Sequence, residues 1–329
     1  VNSHTADLLD LRLVEALQFD GRAPFSRIAE VLGVSDQTIA RRYRRLRSTG
    51  LLRIVGAPGA DRGRWIIRLQ CVPSAVQALA EALARRPDIV WVQLVSGGTE
   101  ILCNIGPVTA EDGEQILLEA LPRSDRIISV AAHRILYTFC GSPRRVRMLD
   151  VLTPEEERLL EPPDPVPGWD ADVPPLEPGD IPLLEVLSRD GRAGHAELSA
   201  ATGWSPSTVA RRVDHLRATG SLLCYAEFDL RYAGLGAAAR LWITVPPGEL
   251  DGVGRALAAH PETAFVAATT GPANLNVAIV CRDSRAIYRY LTERVAALPV
   301  IGHVETTPIG RNVKGVGAVL PHDPSRRPR

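Results

Sequence analysis

Residues 10–23 read D-L-R-L-V-E-A-L-Q-F-D-G-R-A, and residues 180–193 read D-I-P-L-L-E-V-L-S-R-D-G-R-A. At a fixed offset of 170 the match runs on without a gap. Gly33 falls on Gly203, Ser35 on Ser205, Thr38 on Thr208, Ala40-Arg41-Arg42 on Ala210-Arg211-Arg212, and Thr49-Gly50 on Thr219-Gly220. The chain therefore carries one module twice, and such a repeat sets the architecture before any single element is read. Downstream of each copy a weaker repeat follows at an offset of about 174, pairing Pro73 with Pro247, Pro87 with Pro261, Gly97 with Gly271 and Val130 with Val304. The order is A-B-linker-A′-B′.

Each A module reads as three helices. Leu9, Leu13, Ala16 and Leu17 recur at helical spacing over about Ala6–Phe19, and Asp20-Gly21 ends the run. Phe25, Ile28, Ala29 and Leu32 stripe a short second helix, and Gly33 supplies a left-handed turn. Ser35 is placed as the N-cap of a third helix, with Asp36 favourable at its dipole. In the second copy Ser205-Pro206 does the same, with proline at the first helical position. Ile39, Tyr43 and Leu46 point inward; Gln37, Thr38, Arg41, Arg44 and Arg45 lie on the other side. Two short helices joined by a glycine turn, the second basic outside, form the pattern of a DNA-reading helix pair. Gln37, Thr38 and Arg41 are early enough on the helix to reach base edges, and Arg42, Arg44 and Arg45 are placed for phosphates. A solvated basic face is the plainer alternative. The DNA-binding set is Ser35, Gln37, Thr38, Arg41, Arg42, Arg44 and Arg45 in the first copy, and Ser205, Ser207, Thr208, Arg211 and Arg212 in the second.

The copies differ in charge. Residues 35–53 hold six arginines and one aspartate, +5, whereas residues 205–223 hold Arg211, Arg212 and Arg217 against Asp214, +2. Affinity follows the number of phosphates neutralised, so the first copy is predicted to bind DNA more strongly. The second reads a different half-site or is a degraded copy with a structural use.

Each B module reads as β-α-β-β-α-β. The second has strands at Ala239–Val245, Phe265–Thr270, Leu275–Val280 and His303–Thr307. Its helices are marked by Leu250, Val253 and Leu257 and by Ile287, Leu291 and Val295. The first has Trp65–Val72, Val76–Leu83, Val90–Val95, Glu100–Ile105, Glu114–Leu121 and Ile127–Arg134. This order is ferredoxin-like: an antiparallel sheet with both helices on one face. The bare face, with Trp65 and Trp242, is expected to pack on another such sheet.

The expected fold class is α+β: two winged or simple helix-turn-helix DNA-binding domains alternating with two ferredoxin-like βαββαβ sandwich domains. The expected boundaries are 1–56, first helix-turn-helix domain; 57–141, first sensor domain; 142–178, linker; 179–228, second helix-turn-helix domain; 229–320, second sensor domain; and 321–329, a disordered basic tail. Residues 142–180 carry nine prolines and ten acids against four bases. Thr153-Pro154-Glu155-Glu156 looks like a helix start, and Pro162–Pro178 is expected to be extended.

Composition limits the alternatives. The 38 basic and 38 acidic residues cancel, so any DNA contact is local. Cys71, Cys103, Cys140, Cys224 and Cys281 are far apart and read as reduced thiols. There is no secretory pattern at the N-terminus and no apolar run of about 18–20 residues, so a cytoplasmic protein off the membrane is expected. No phosphate loop, metal-spaced His/Cys set or nucleophile elbow appears, so no catalytic residue, metal or cofactor is assigned.

The A-B unit resembles the Lrp/AsnC family of feast/famine regulators. The resemblance rests on Asp10–Ala23, on G-V-S-D-Q-T-I-A-R-R-Y-R-R-L-R-S-T-G-L-L (Gly33–Leu52) and on F-D-L-R-Y-A-G-L-G (Phe228–Gly236). It covers nearly everything but the linker and tail. It implies transcriptional control, dimers with facing sheets, higher homo-oligomers, and an amino-acid or small-metabolite effector near a G-x-x-D turn. Here that turn is Gly97-Gly98-Thr99-Glu100 in one copy and, after Thr270, Gly271-Pro272-Ala273-Asn274 in the other. Neither keeps the aspartate. The effector residues implied are Gly97, Gly98, Thr99, Glu100, Thr270, Gly271, Ala273 and Asn274, beside the alternative of plain hairpins. A tandem chain is able to form the sheet pair internally, as a pseudo-dimer with two unlike reading heads. Two rival readings stand. The architecture also resembles sirohaem decarboxylases, which would need histidine and arginine at a tetrapyrrole pocket. A ligand-binding or oligomerisation protein with vestigial heads is the other.

Overall fold

The computed structural model describes residues 7–59, 64–86, 88–106, 125–141, 149–161, 173–174 and 176–315. The first head consists of α1 (Leu8–Phe19), α2 (Phe25–Leu32) and α3 (Asp36–Ser48). Asp7 caps α1 by accepting from the Leu9 N–H, and Gly33 ends α2 at φ 68°. The Ser35 side chain accepts from the Thr38 N–H at the start of α3. Leu13, Leu17, Ile28, Ile39 and Leu46 are fully buried between the three helices.

The first head continues into β1 (Leu52–Pro58), the first sensor strand β2 (Trp65–Cys71), α4 (Val76–Ala84), β3 (Ile89–Val95), β4 (Glu100–Ile105) and β5 (Ile127–Cys140). The helix read at Glu114–Leu121 lies outside the described residues, as does the tail 321–329. In the linker α5 (Pro154–Leu160) starts with a Thr153/Glu156 capping box and proline at the first turn. The second head repeats the first as α6 (Ile181–Arg189), α7 (His195–Thr202) and α8 (Pro206–Ala218). Then come β6 (Leu222–Phe228), β7 (Ala237–Thr244), α9 (Leu250–Ala258), β8 (Thr263–Thr269), β9 (Leu275–Cys281), α10 (Ser284–Arg289, continued as a π-helical stretch to Val295) and β10 (His303–Lys314).

The two sensor sheets join into one closed barrel of order β10-β3-β4-β2-β5-β8-β9-β7. Two seams close it, β5 with β8 and β10 with β3, and each joins one copy to the other. Those seams account for a correction at the strand ends. β5 runs to Cys140 and β10 to Lys314, past the expected Arg134 and Thr307, because their last residues pair with the other copy. The helix-covered faces form one apolar cluster around Ile67, Leu69, Val92 and Ile101 and another around Leu241, Ile243, Val277 and Ile279. A third cluster, with Ile66, Val95, Leu102, Ile135, Trp242 and Ala267, fills the inside. Trp242 is thus on the face that meets the other sheet. Trp65 is not: it shares the pleat face of Ile67 and Leu69 and packs on the helix side.

Sequence reading missed the strands β1 and β6. They pair antiparallel with each other, Leu52 against Phe228 and Pro58 against Leu222, and Val55 lies opposite Tyr225, its own counterpart in the repeat. A pseudo-two-fold axis passes through that pair. Around it the D-G-R-A motifs clasp each other. Arg22 Nη1 donates to the Gly191 carbonyl at 2.7 Å, and Arg192 Nη1 donates to the Gly21 carbonyl at 2.7 Å. Arg47 pairs with Asp190 and Arg217 with Asp20, both at 2.7 Å. A Cβ on Gly21 would stand 2.8 Å from the Cys224 carbonyl oxygen, and one on Gly191 2.8 Å from the Val55 carbonyl carbon. Both glycines are there for close backbone approach.

The five cysteines are free and buried. Burial pushes the Cys103 thiol up to about 12 and the Cys224 thiol up to about 11, which keeps both protonated. Among the described residues no helix is long and apolar enough to cross a membrane.

Candidate DNA-binding heads and effector turns

Helix α3 buries Ile39, Tyr43 and Leu46 against α1 and α2, which turns the rest of its circumference outward. Gln37, Arg41 and Arg44 are exposed there. Arg41 and Arg44 have no carboxylate partner among the described residues, and Arg44 Nε donates only to the Ala40 carbonyl of its own helix. Thr38 is half-buried; its hydroxyl is 2.9 Å from that of Ser35. Ser35 and Thr38 are therefore engaged in starting the helix.

Arg42 and Arg45 are placed differently from the expectation that they face phosphates. Both reach back to α1. Arg42 Nη1 donates to Asp10 at 2.8 Å and also pairs with Asp7 at 2.9 Å, and Arg45 pairs with the other oxygen of Asp10. The Asp10 carboxylate is fully buried, so the two guanidinium groups neutralise it and tie α3 to α1. Arg47 is engaged by Asp190 and Arg53 by Glu227. Of the six arginines that gave +5, only Arg41 and Arg44 stay uncompensated among the described residues.

The second head repeats this bracing. Arg212 donates to both oxygens of the buried Asp180 at 2.7 Å and pairs with Glu177 at 3.0 Å. Burial alone would raise the Asp180 pKa. Arg212 and the Glu177 N–H more than offset that, so its carboxyl titrates below the usual range. Ser205 caps α8 through the Thr208 N–H, and its hydroxyl is 3.0 Å from that of Ser207. Arg211 is exposed with no carboxylate partner among the described residues, but the positions of Arg44 and Arg45 are taken by Asp214 and His215. A cleft of about 400 Å³ beside Trp204 is lined by Arg211, Arg212, His215 and the linker residue Glu177.

The linker helix α5 packs on the first head. The buried Glu15 accepts three backbone N–H groups, from Asp150, Val151 and Leu152 at 2.8–3.1 Å. Burial nevertheless outweighs those bonds, and its pKa is raised. Arg27 donates to the Leu159 and Glu161 carbonyls at 2.8 and 2.6 Å. Sequence reading assigned the linker no contact with either head.

The two effector turns are not equivalent. Gly97 and Gly98 both have positive φ, and the Thr99 hydroxyl donates to the Ser96 carbonyl. Glu100 is buried, bound by Arg68 at 3.0 Å and by the Ser96 hydroxyl at 3.0 Å. In the other turn the Asn274 amide is locked onto the Val245 backbone, accepting from its N–H at 3.0 Å and donating to its carbonyl at 2.8 Å. The Thr270 hydroxyl accepts from the Arg134 N–H, the Ala273 carbonyl accepts from Thr269, and a Cβ on Gly271 would collide with His133 at 2.6 Å. The first turn lies beside β10 and the second beside β5. Both Glu100 and Asn274 are thus engaged by the protein itself.

Comparison with known proteins matches both heads and the second sensor unit. The AsnC-type helix-turn-helix domain matches residues 7–47 and again 179–217, and the Lrp/AsnC ligand binding domain matches 238–319. The chain carries the DNA-binding and ligand-binding domains of the Lrp/AsnC family. Among Lrp/AsnC-like relatives, the HTH-type transcriptional regulator FL11 of Pyrococcus horikoshii is 29% identical over 133 residues, covering 40% of this chain and 87% of that protein. The HTH-type transcriptional regulator AldR of Mycolicibacterium smegmatis is 25% identical, covering 37% of this chain and 75% of its own. The crystal structure of the siroheme decarboxylase NirDL superposes with a TM-score of 0.52 over 94% of both chains at 14% identity. That likeness spans the whole Lrp/AsnC tandem and shows a shared fold.

Proposed function

We propose that this protein is a sequence-specific, cytoplasmic DNA-binding transcription regulator whose two heads form one asymmetric reader. The observation that carries the reading is the outer face of α3, where Gln37, Arg41 and Arg44 stand exposed, with both cations free of carboxylates among the described residues. The matched helix-turn-helix segments and the regulators named above support it. Units 1–56 and 179–228 are the heads, and 57–141 and 229–320 the sensor halves. Gln37 and Arg41 read bases, Arg44 and Arg211 hold phosphates, and Arg42, Arg45 and Arg212 brace the heads. An amino acid or other small metabolite bound near the Gly97–Glu100 and Thr270–Asn274 turns would modulate the assembly, and barrels would associate into homo-oligomers.

The test is fluorescence anisotropy with a duplex from the gene's own upstream region at two salt concentrations, with and without an amino-acid pool. Three uncompensated cations give an expected slope of log K against log salt of roughly −2.7, at about −0.9 per phosphate. No binding at low salt would overturn the proposal.

The end-to-end fold likeness to a siroheme decarboxylase favours one second reading, an enzyme acting on a tetrapyrrole. The sensor-unit histidines are dispersed. His133 lies against Trp242, His260 is bound to the Tyr290 hydroxyl, and His303 starts β10 opposite Thr244. Tetrapyrrole absorption in the purified protein would support the enzyme reading, and a colourless protein that binds the duplex would eliminate it.

A further inference from the structure

The interior of the barrel carries a cation without a counter-ion among the described residues. Arg240 and Trp242 alternate on the inner face of β7. In register, Thr307 of β10 lies opposite Arg240 and Asn276 of β9 opposite Trp242. All four side chains are at most 5% exposed. Arg240 Nε, Trp242 Nε1 and Asn276 Nδ2 have no hydrogen-bond partner, and the Thr307 hydroxyl makes no well-formed bond, though it interacts with the Glu305 carboxylate two residues before it. Arg240 Nη1 donates to Asn276 Oδ1 at 2.8 Å, which fixes the amide so that its NH₂ is left as a donor. The guanidinium lies against the rings of Trp91 (4.6 Å to the centroid) and Phe265 (5.2 Å). No carboxylate pairs with it among the described residues, and burial pushes its pKa down to about 10.

Two comparisons make this cluster unusual. Arg68, on the inner face of β2, is matched by Glu100 at 3.0 Å and Glu305 at 2.6 Å. The same register in the first copy pairs Ile66 with His133 and places Leu102 opposite Arg68, so Arg240 and Asn276 stand where the other half has Ile66 and Leu102. An isoleucine and a leucine suffice for packing there. Burying a cation and several unpaired donors is costly unless something accepts from them.

We propose that Arg240, Trp242, Asn276 and Thr307 form a binding site for a small carboxylate anion inside the barrel. The guanidinium edge at Nε takes one carboxylate oxygen, and the indole N–H, the Asn276 NH₂ and the Thr307 hydroxyl donate to the anion. One positive charge matches a monoanion, and the flanking rings suit a planar group. Phosphate, with its higher charge, would leave negative charge unpaired. The site needs no DNA, and Trp242 links it to both effector turns, through His133 on the Thr270 carbonyl and through Arg68 on Glu100.

The test uses the full chain, titrated with sodium acetate and sodium pyruvate against sodium chloride at constant ionic strength, by calorimetry and thermal unfolding. Saturable binding with a rise in Tm, absent with chloride, is expected. Trp242→Phe keeps the ring and removes one donor, and Thr307→Val removes another. Each should weaken binding about tenfold, as for a hydrogen bond to a charged group. Arg240→Ile, the first copy's own residue, should abolish it; if that variant does not fold, the two milder ones decide. Identical responses to acetate, pyruvate and chloride would overturn the proposal. So would carboxylate binding that none of the folded variants alters, or a crystal soaked in acetate showing only water at Arg240.

Discussion

The first and second heads share a backbone plan, a buried aspartate brace and a reciprocal clasp, yet they present different surfaces to DNA. In both, an aspartate at the start of the first helix holds the arginine 32 residues later, Asp10 with Arg42 and Asp180, which immediately precedes its helix, with Arg212. In both, an arginine of the D-G-R-A motif bonds the other head's carbonyls. The outer face is where they part: beside the shared Arg41 and Arg211, the first head has Arg44 where the second has Asp214. The residues of the reciprocal clasp repeat, while the free outer cation at Arg44 does not.

The sharpest way to break the comparison is at the clasp. Gly21→Ala and Gly191→Ala each press a methyl into backbone at 2.8 Å, and each should cost about 1–3 kcal/mol in urea unfolding, as overpacking does. Equal costs would confirm that the clasp is symmetric; a cost at one glycine alone would show that it is not. Next in size is the division of labour on DNA. Arg41→Ala should weaken binding roughly 10- to 100-fold, in the range of a lost base-reading arginine. Arg211→Ala should cost less than about fivefold if it only offsets one phosphate. A larger loss from Arg211→Ala would reverse the ranking of the heads. Asp214→Arg tests the same ranking by gain. It should steepen the salt dependence by about 0.9 and tighten binding at low salt by a few-fold.

Acid should act on the two heads in opposite directions, by less than about 1 kcal/mol each. Asp180 has a depressed folded pKa, so its contribution is present above its unfolded value of 3.8 and is lost as pH falls through the lower folded one. Glu15 has a raised folded pKa, so its contribution is full below its unfolded value of 4.5 and declines as pH rises through the folded value. Lowering pH from neutral towards 4.5 should therefore strengthen amide-exchange protection of α1, after correction for intrinsic exchange. Protection of α6 should hold over that range and fall only in stronger acid. Parallel behaviour of α1 and α6 would show that the linker contact at Glu15 does not distinguish the heads.

The heads were legible because their signals are local: helical stripes, a glycine turn, serine caps. The charge of the reading helix was legible only as a sum. Its discharge by Asp10, Asp190 and Glu227 depends on tertiary contacts. A clue was present, since both copies keep the aspartate and arginine 32 residues apart. The β1–β6 ribbon was not legible, because Leu52–Pro58 finds its partner strand 170 residues downstream and is buried on both faces over much of its length. Trp65 shows how parity fails. The side-chain period of a strand is two, so an error of one residue in phase moves a tryptophan from one face to the other. The polar cluster at Arg240 was hidden for the same reason: its four members come from three strands and meet only once register is set.

The barrel seams have a consequence for how such a protein is inherited and kept. Strand β5 finishes the sheet of the second half and β10 that of the first, so neither half closes by itself. When two separate chains make such a ring, dilution takes it apart and any compatible relative in the cell is able to take a place in it. Here the mate is covalently tethered, at an effective concentration set by the linker rather than by expression level. Tethering favours one-to-one pairing within the chain over exchange with another chain. A change acquired by one half then meets the same opposite half.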